Sequence, residues 1–156
     1  MRFLLVDKIL DLVPGKQARA VKFISEDEDY FRDHFPGFPV VPGVLLTEMM
    51  AQTAGKCLNA ERYGQEYAML AQINSAKFYK WVKPGSEVLM TINIRNNKPR
   101  FATAECKATV MNESVASSEL FFTFVPCDIF SKDYHDTVLD SYLRDMGRME
   151  GGSDGA

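Results

Sequence analysis

The sequence has 156 residues, 46% of them hydrophobic and 25% charged, with a formal net charge of -3. That length suits one domain with a core of its own and leaves little room for a second. The acidic balance argues against a general nucleic-acid binder, and no stretch approaches the roughly 20 apolar residues of a membrane span.

Cys57, Cys106 and Cys127 form no CxxC pair and no Cys/His metal spacing, so reduced thiols in a cytoplasmic protein are the simplest reading and no metal is expected. Phe3-Leu4-Leu5-Val6 is followed at once by Asp7 and Lys8, too short a run for a signal peptide.

In chain order, residues 3–13 and 17–24 flank Pro14-Gly15-Lys16 and read as a hairpin, although Leu5, Ile9 and Leu12 also fit a helix face. Ser25 to Asp29 is acidic and reads as a solvated turn or helix start; Tyr30 and Phe31 then anchor a short helix that delivers His34. Pro39 and Pro42 lack amide hydrogens, so the segment before Val44 is a shaped loop. From Val44 to about Tyr63 the residues are good helix formers, and Gly64 is a natural stop.

Strand patterns follow at 67–73 and 77–82, with Pro84-Gly85 as a turn. Val88, Met90, Ile92 and Ile94 alternate with polar residues between 87 and 96; Ala102, Ala104, Cys106, Ala108 and Val110 alternate between 101 and 111. The segment 115–125 is the last strand, ended by Pro126. Long consecutive strands joined by short turns imply an antiparallel meander, and its apolar face needs a cover. The 44–63 helix, with small residues at Ala51, Ala54, Gly55 and Ala60, is the element long enough to supply it, giving an α+β domain with a curved sheet around one central helix. Beyond Pro126, Tyr134, Val138, Tyr142 and Met146 recur every four residues and predict an amphipathic helix over 132–146. The organisation read from this is a domain at 1–126, an extension at 127–148 and a flexible tail at 149–156.

Two side chains stand out for chemistry. His34 lies in a constrained loop, where a structural hydrogen-bonding role competes with a catalytic one; His135 lies on the polar side of the C-terminal helix and suggests no role. Glu48 follows the helix start by about one turn, among Leu45, Leu46, Met49 and Met50. A lone carboxylate on an apolar helix is costly to ionise, and a carboxyl kept protonated is what a general acid needs. The competing reading places Glu48, Gln52 and Lys56 on one water-facing stripe at i+4 spacing. Pro42 and Gly43 sit at the helix N-terminus, where unpartnered N–H groups favour developing negative charge. An imidazole base, a carboxylic acid and such an N–H together suit removal of a proton α to a carbonyl with loss of a β-hydroxyl as water.

His34-Phe35-Pro36-Gly37-x-Pro39-Val40-x-Pro42-Gly43-Val44-Leu45, followed by Glu48 and Ala51-Gln52, closely resembles the active-site signature of the FabZ-type 3-hydroxyacyl-acyl-carrier-protein dehydratases. The resemblance also takes in residues 4–9, Pro14-Gly15-Lys16, 20–22, Ala76-Lys77-Phe78 and 82–85, and extends to about Val125. It implies the hot-dog fold. His34 then resembles the base that takes the α-proton, Glu48 the acid that protonates the departing hydroxyl, and the Gly43 amide the donor to the thioester oxygen. Phe35, Pro42, Val44 and Gln52 fall at substrate-binding positions. The resemblance implies no metal and no nicotinamide, a substrate carried on the phosphopantetheine of an acyl carrier protein, and a homodimer whose sites each take the histidine and the acid from different subunits, often assembled further into a trimer of dimers.

The related FabA-type dehydratase/isomerases have aspartate at the position of Glu48 and typically cysteine at that of Val44, so this sequence sides with the FabZ type and leaves isomerisation open. It departs from the pattern in three places. A Leu-Pro-His-Arg-type segment usually precedes the first strand, where this sequence has Met1-Arg2-Phe3; glycine commonly precedes the histidine, where it has Asp33; and the part after Pro126 is additional. Asp33 either approaches the imidazole and favours its charged form or points to solvent. Lys77, Lys80 and Lys83 are candidates for docking the acidic carrier, with surface solubility the competing explanation. A hot-dog thioesterase and a non-catalytic acyl-thioester-binding subunit are the alternatives; the first has no need of His34, and the second none of the His/Glu pair.

Overall fold

The computed structural model describes residues 1–147, so the tail expected at 149–156 and the last residue of the expected extension lie outside the described residues. A six-stranded antiparallel sheet wraps a long helix, α1 (Gly43–Glu61), as the family resemblance implies. Its strands are β1 (Lys8–Val13), β2 (Gln17–Phe23), β3 (Glu66–Phe78), β4 (Glu87–Asn97), β5 (Phe101–Val110) and β6 (Glu113–Pro126). They lie in the order β1-β2-β4-β5-β6-β3.

The N-terminal hairpin forms as a strand pair and not a helix, with Gly15 in the left-handed conformation at its turn (φ 73°). Its first strand starts only at Lys8, while Leu5 and Val6 are buried ahead of it. β4, β5 and β6 form the expected meander. The stretches at 67–73 and 77–82 differ from expectation: the first is part of the single strand β3, which also takes in Lys77 and Phe78, and residues 79–82 lie outside any strand. β3 pairs with β6 at the sheet edge, and irregularities at Leu70/Gln72 and Ile73/Ser75 interrupt its two-residue period.

The core lies between sheet and helix. Ala102, Ala104, Cys106 and Ala108 of β5 and Val88, Met90 and Ile92 of β4 are buried, whereas Ile94 and Val110, at the ends of their stripes, are only partly covered. Small residues on both sides let α1 approach closely, with Ala51 and Ala54 buried among Met49, Met50, Cys57 and Leu58. Each fully buried Leu or Met contributes about 1.5–3 kcal/mol. Arg62, just past α1, ties the helix to the β4–β5 turn: its guanidinium donates to Glu66, Asn97 and the carbonyls of Lys98 and Pro99, and lies 3.4 Å from the Phe124 ring centroid.

Past β6 the chain folds back across the domain. The helix α2 (Thr137–Asp145) is shorter than the periodicity at 132–146 implies, because Asp136 caps it by accepting from the Leu139 amide at 3.0 Å. Leu139 and Leu143 are buried in the main core, so the extension is packed as part of the domain.

Candidate active site

A 3₁₀ turn at Asp29–Arg32 sets the start of the His34 loop. Tyr30 and Phe31 pack partly against the core, and the Tyr30 carbonyl accepts from the His34 amide at 3.0 Å, so this short element does deliver the histidine. The loop is braced from within: Phe35 and Phe38 exchange backbone hydrogen bonds of 3.0 and 2.8 Å, and Val40 N–H donates to the His34 carbonyl at 3.1 Å. The half-buried imidazole stacks on Phe35, and its Nδ1 lies 3.1 Å from the Val40 carbonyl. A carbonyl only accepts, so this contact calls for a proton on Nδ1. Asp33 is exposed, and among the described residues its carboxylate makes no hydrogen bond to His34, which leaves the solvent-facing alternative.

The loop ends where Pro42 starts α1 by accepting from Leu45 and Leu46 at 2.9 and 3.3 Å. The Gly43 and Val44 amides have no acceptor among the described residues, as expected for the first turn of a helix without a side-chain cap. A Cβ on Gly43 would lie 3.1 Å from the Phe78 ring, so glycine keeps this approach open. Val44 is 74% exposed at the same end.

Glu48 is half-buried and does have a partner: Gln52, one turn on, donates to its Oε2 at 3.1 Å. Gln52 also donates to the Phe3 carbonyl and accepts from the Leu5 amide, each at 3.0 Å, pinning the N-terminal segment against α1. The polar stripe therefore holds for Glu48 and Gln52 but not for Lys56, which is buried and donates to Asp136 at 2.8 Å. Glu48 and Gln52 line a cleft of about 340 Å³ with Phe3, Leu4, Met69 and Phe122 among its walls. Phe3 and Leu4, pinned by Gln52, build one wall of the cleft. Their role was not legible beforehand, since only the Gln52 contacts reveal it. Among the described residues that line this cleft with Glu48, His34 is not found.

Around the α1 N-terminus lies an exposed aromatic surface. Phe35, Phe38, Phe78, Tyr79 and Trp81 are all exposed, and Phe38 meets Trp81 edge-on at 4.9 Å. Lys77, Lys80 and Lys83 are exposed at its margin; Lys80 pairs with Glu113 at 2.9 Å, and the Lys83 ammonium lies 5.6 Å from the Phe38 ring. Among the described residues there is no cluster of side chains able to hold a metal ion, and no helix is long and apolar enough to cross a membrane.

Comparison with known proteins identifies the family. Residues 1–119 match the model of the FabA-like domain. The 3-hydroxyacyl-[acyl-carrier-protein] dehydratase FabZ of Listeria monocytogenes is 36% identical over 121 residues, 77% of this chain and 84% of that protein. The protein of the same name from Staphylococcus epidermidis is 39% identical over 121 residues, again 77% of this chain and 83% of that one. Among solved structures, the conserved protein PA5202 of Pseudomonas aeruginosa superposes with a TM-score of 0.62 at 16% identity, covering 76% of this chain and 87% of its own, which supports the fold. On the family match over most of its length, the chain belongs to the FabA-like domain family.

Proposed function

We propose that this protein is a 3-hydroxyacyl-acyl-carrier-protein dehydratase, converting (3R)-3-hydroxyacyl thioesters on carrier protein to trans-2-enoyl thioesters in fatty-acid or related acyl-chain biosynthesis. The observation that carries the chemistry is the 3.1 Å contact between His34 Nδ1 and the Val40 carbonyl: with the Nδ1 proton committed there, Nε2 is the nitrogen left to act as base. Nε2 takes the α-proton, and the electron pair left on the α-carbon is delocalised onto the thioester oxygen, which the Gly43 N–H at the helix start stabilises. The pair then forms the Cα–Cβ double bond as the C–O bond at the β-carbon breaks. Glu48, held by Gln52, gives its proton to the departing hydroxyl, which leaves as water. One proton is taken up and one given, and the electrons balance within the substrate, so the reaction calls for no redox cofactor; no metal is part of the proposed mechanism.

The substrate arrives on a phosphopantetheine arm. Phe35, Pro42, Val44 and Gln52 border its path, and Lys77, Lys80 and Lys83 offer local positive charge to an acidic carrier that the net charge of -3 would otherwise repel. The working unit is a homodimer in which His34 of one chain serves the site with Glu48 of the other, with a trimer of dimers as a further assembly. Two features support this: Glu48 lies in a cleft that His34 does not line, and the edge strand β3 exposes Met69, Leu70 and Ile73 along a sheet margin that a second copy would cover. The three free cysteines suit the cytoplasm.

The experiment is to incubate the protein with 3-hydroxyacyl carrier protein and to follow enoyl-thioester formation, double-bond position and free-thiol release together. Enoyl product without thiol release is expected. Thiol release without enoyl product would instead make the protein a thioesterase, and binding without turnover a non-catalytic subunit.

A further inference from the structure

The segment just before α2 stands between two cavities. Tyr134, His135 and Asp136 line the Glu48 cleft on one side and, on the other, a second cavity of about 390 Å³ bounded by Tyr63, Tyr67, Cys127 and Phe130. The partition is firmly held. Asp136 accepts from Lys56 at 2.8 Å with one carboxylate oxygen and caps α2 with the other, and the Lys56 and Asp136 side chains are each only 11% exposed. The Tyr134 ring packs edge-on against Tyr67 at 5.1 Å and lies 5.3 Å from Phe130. All three partition residues lie beyond 119, where the family match ends.

Lys56 is two turns along α1 from Glu48, roughly 12 Å at about 1.5 Å per residue. Both line the cleft, whose walls also include Leu4, Met69, Leu70 and Phe122, surfaces suited to a hydrocarbon chain. An acyl chain laid along α1 away from the reacting carbons therefore runs into the partition.

We propose that Tyr134 and His135, held by the Lys56–Asp136 pair, are specificity-determining residues that end the acyl cleft and restrict the enzyme to short chains. The inference rests on the dehydratase reading and adds a substrate limit to it. A longer chain has to displace a tyrosine ring packed against two other aromatic rings before it reaches the second cavity.

The test compares kcat/KM for 3-hydroxyacyl carrier proteins of increasing chain length in the full-length wild type, Tyr134→Ala, Tyr134→Phe and His135→Ala. Tyr134→Ala, which joins the two cavities, should raise the long-to-short ratio of kcat/KM by about tenfold or more, the scale on which pockets discriminate single methylenes. Tyr134→Phe keeps the ring and should keep the wild-type ratio. His135→Ala, at an exposed position that does not threaten folding, should shift the ratio in the same direction as Tyr134→Ala. A ratio unmoved in both alanine variants, or a uniform fall at every length, overturns the partition. Failure of the wild type to release water from any chain length defeats the dehydratase reading itself, and the substrate limit with it.

Discussion

At the scale of residues, His34 and Glu48 are prepared by different means. The imidazole is oriented by a backbone carbonyl within its own loop, whereas the carboxyl is positioned by Gln52, which is itself fastened to Phe3 and Leu5. In the proposed mechanism each transfers one proton, so His34→Ala and Glu48→Gln should each lower the dehydration rate about 10²- to 10⁴-fold, measured by enoyl-thioester absorbance at saturating substrate. Activity within a few-fold of wild type in either variant would remove that residue from the mechanism. Two cysteines make a separate prediction. Burial pushes the Cys57 thiol up to about 11 and the Cys106 thiol up to about 12, against 9.0 for an unperturbed thiol. The unfolded chain therefore loses these protons first, so their contribution to stability is intact below about pH 9 and declines as pH rises toward 11. The urea midpoint should hold steady from pH 7 to 8.5 and fall between pH 9 and 10, less so in Cys106→Ala; an equal fall in both would assign the loss to other groups.

At the scale of elements, Arg62 ties the C-terminal end of α1 to the β4–β5 turn. Arg62 donates to two backbone carbonyls and two side chains and stacks on Phe124, across gaps of 35 to 37 residues for the β4–β5 turn. Arg62→Ala should destabilise the fold by about 2–3 kcal/mol, since acceptors near the turn lose a charged donor. A fall in Tm of about 5–10 °C is expected by scanning calorimetry, and no fall would mean that the remaining contacts, those of Asn97 with Glu61 and Gly15 among them, hold the turn. The elements also separate what was readable from what was not. α1, the N-terminal hairpin and the β4–β5–β6 meander carry intact local periodicities and turn residues, so they were legible. β3 was not, because its irregularities near Leu70 and Ser75 break the two-residue alternation and make one strand look like a strand and a fragment. Its pairing with β6 instead of its sequence neighbour β4 is a long-range choice that no local pattern encodes.

At the scale of the whole molecule, the same distinction applies to the site. His34, Gly43 and Glu48 sit in one contiguous motif and could be picked out from it, while the walls around Glu48 are assembled from Phe3 and Leu4 at one end of the chain and Tyr134 to Thr137 near the other. The Lys56–Asp136 pair that draws the C-terminal segment in spans 80 residues, and nothing in the spacing of its members announces it. One chain leaves large apolar side chains uncovered around the α1 start and along β3, with Trp81 71% exposed, and leaves His34 outside the Glu48 cleft. In the proposed homodimer a second copy would cover these side chains and bring its His34 to the Glu48 cleft.

The most direct test of this sharing of sites between subunits is to co-express His34→Ala chains with Glu48→Gln chains and to measure dehydration of 3-hydroxyacyl carrier protein by the purified mixture. Each mixed dimer would hold one site with both residues intact and one with neither, so random pairing should restore about a quarter of wild-type activity from two parents that are each nearly inactive. Activity no higher than that of the parents, in a mixture verified to contain mixed dimers, would contradict the shared site.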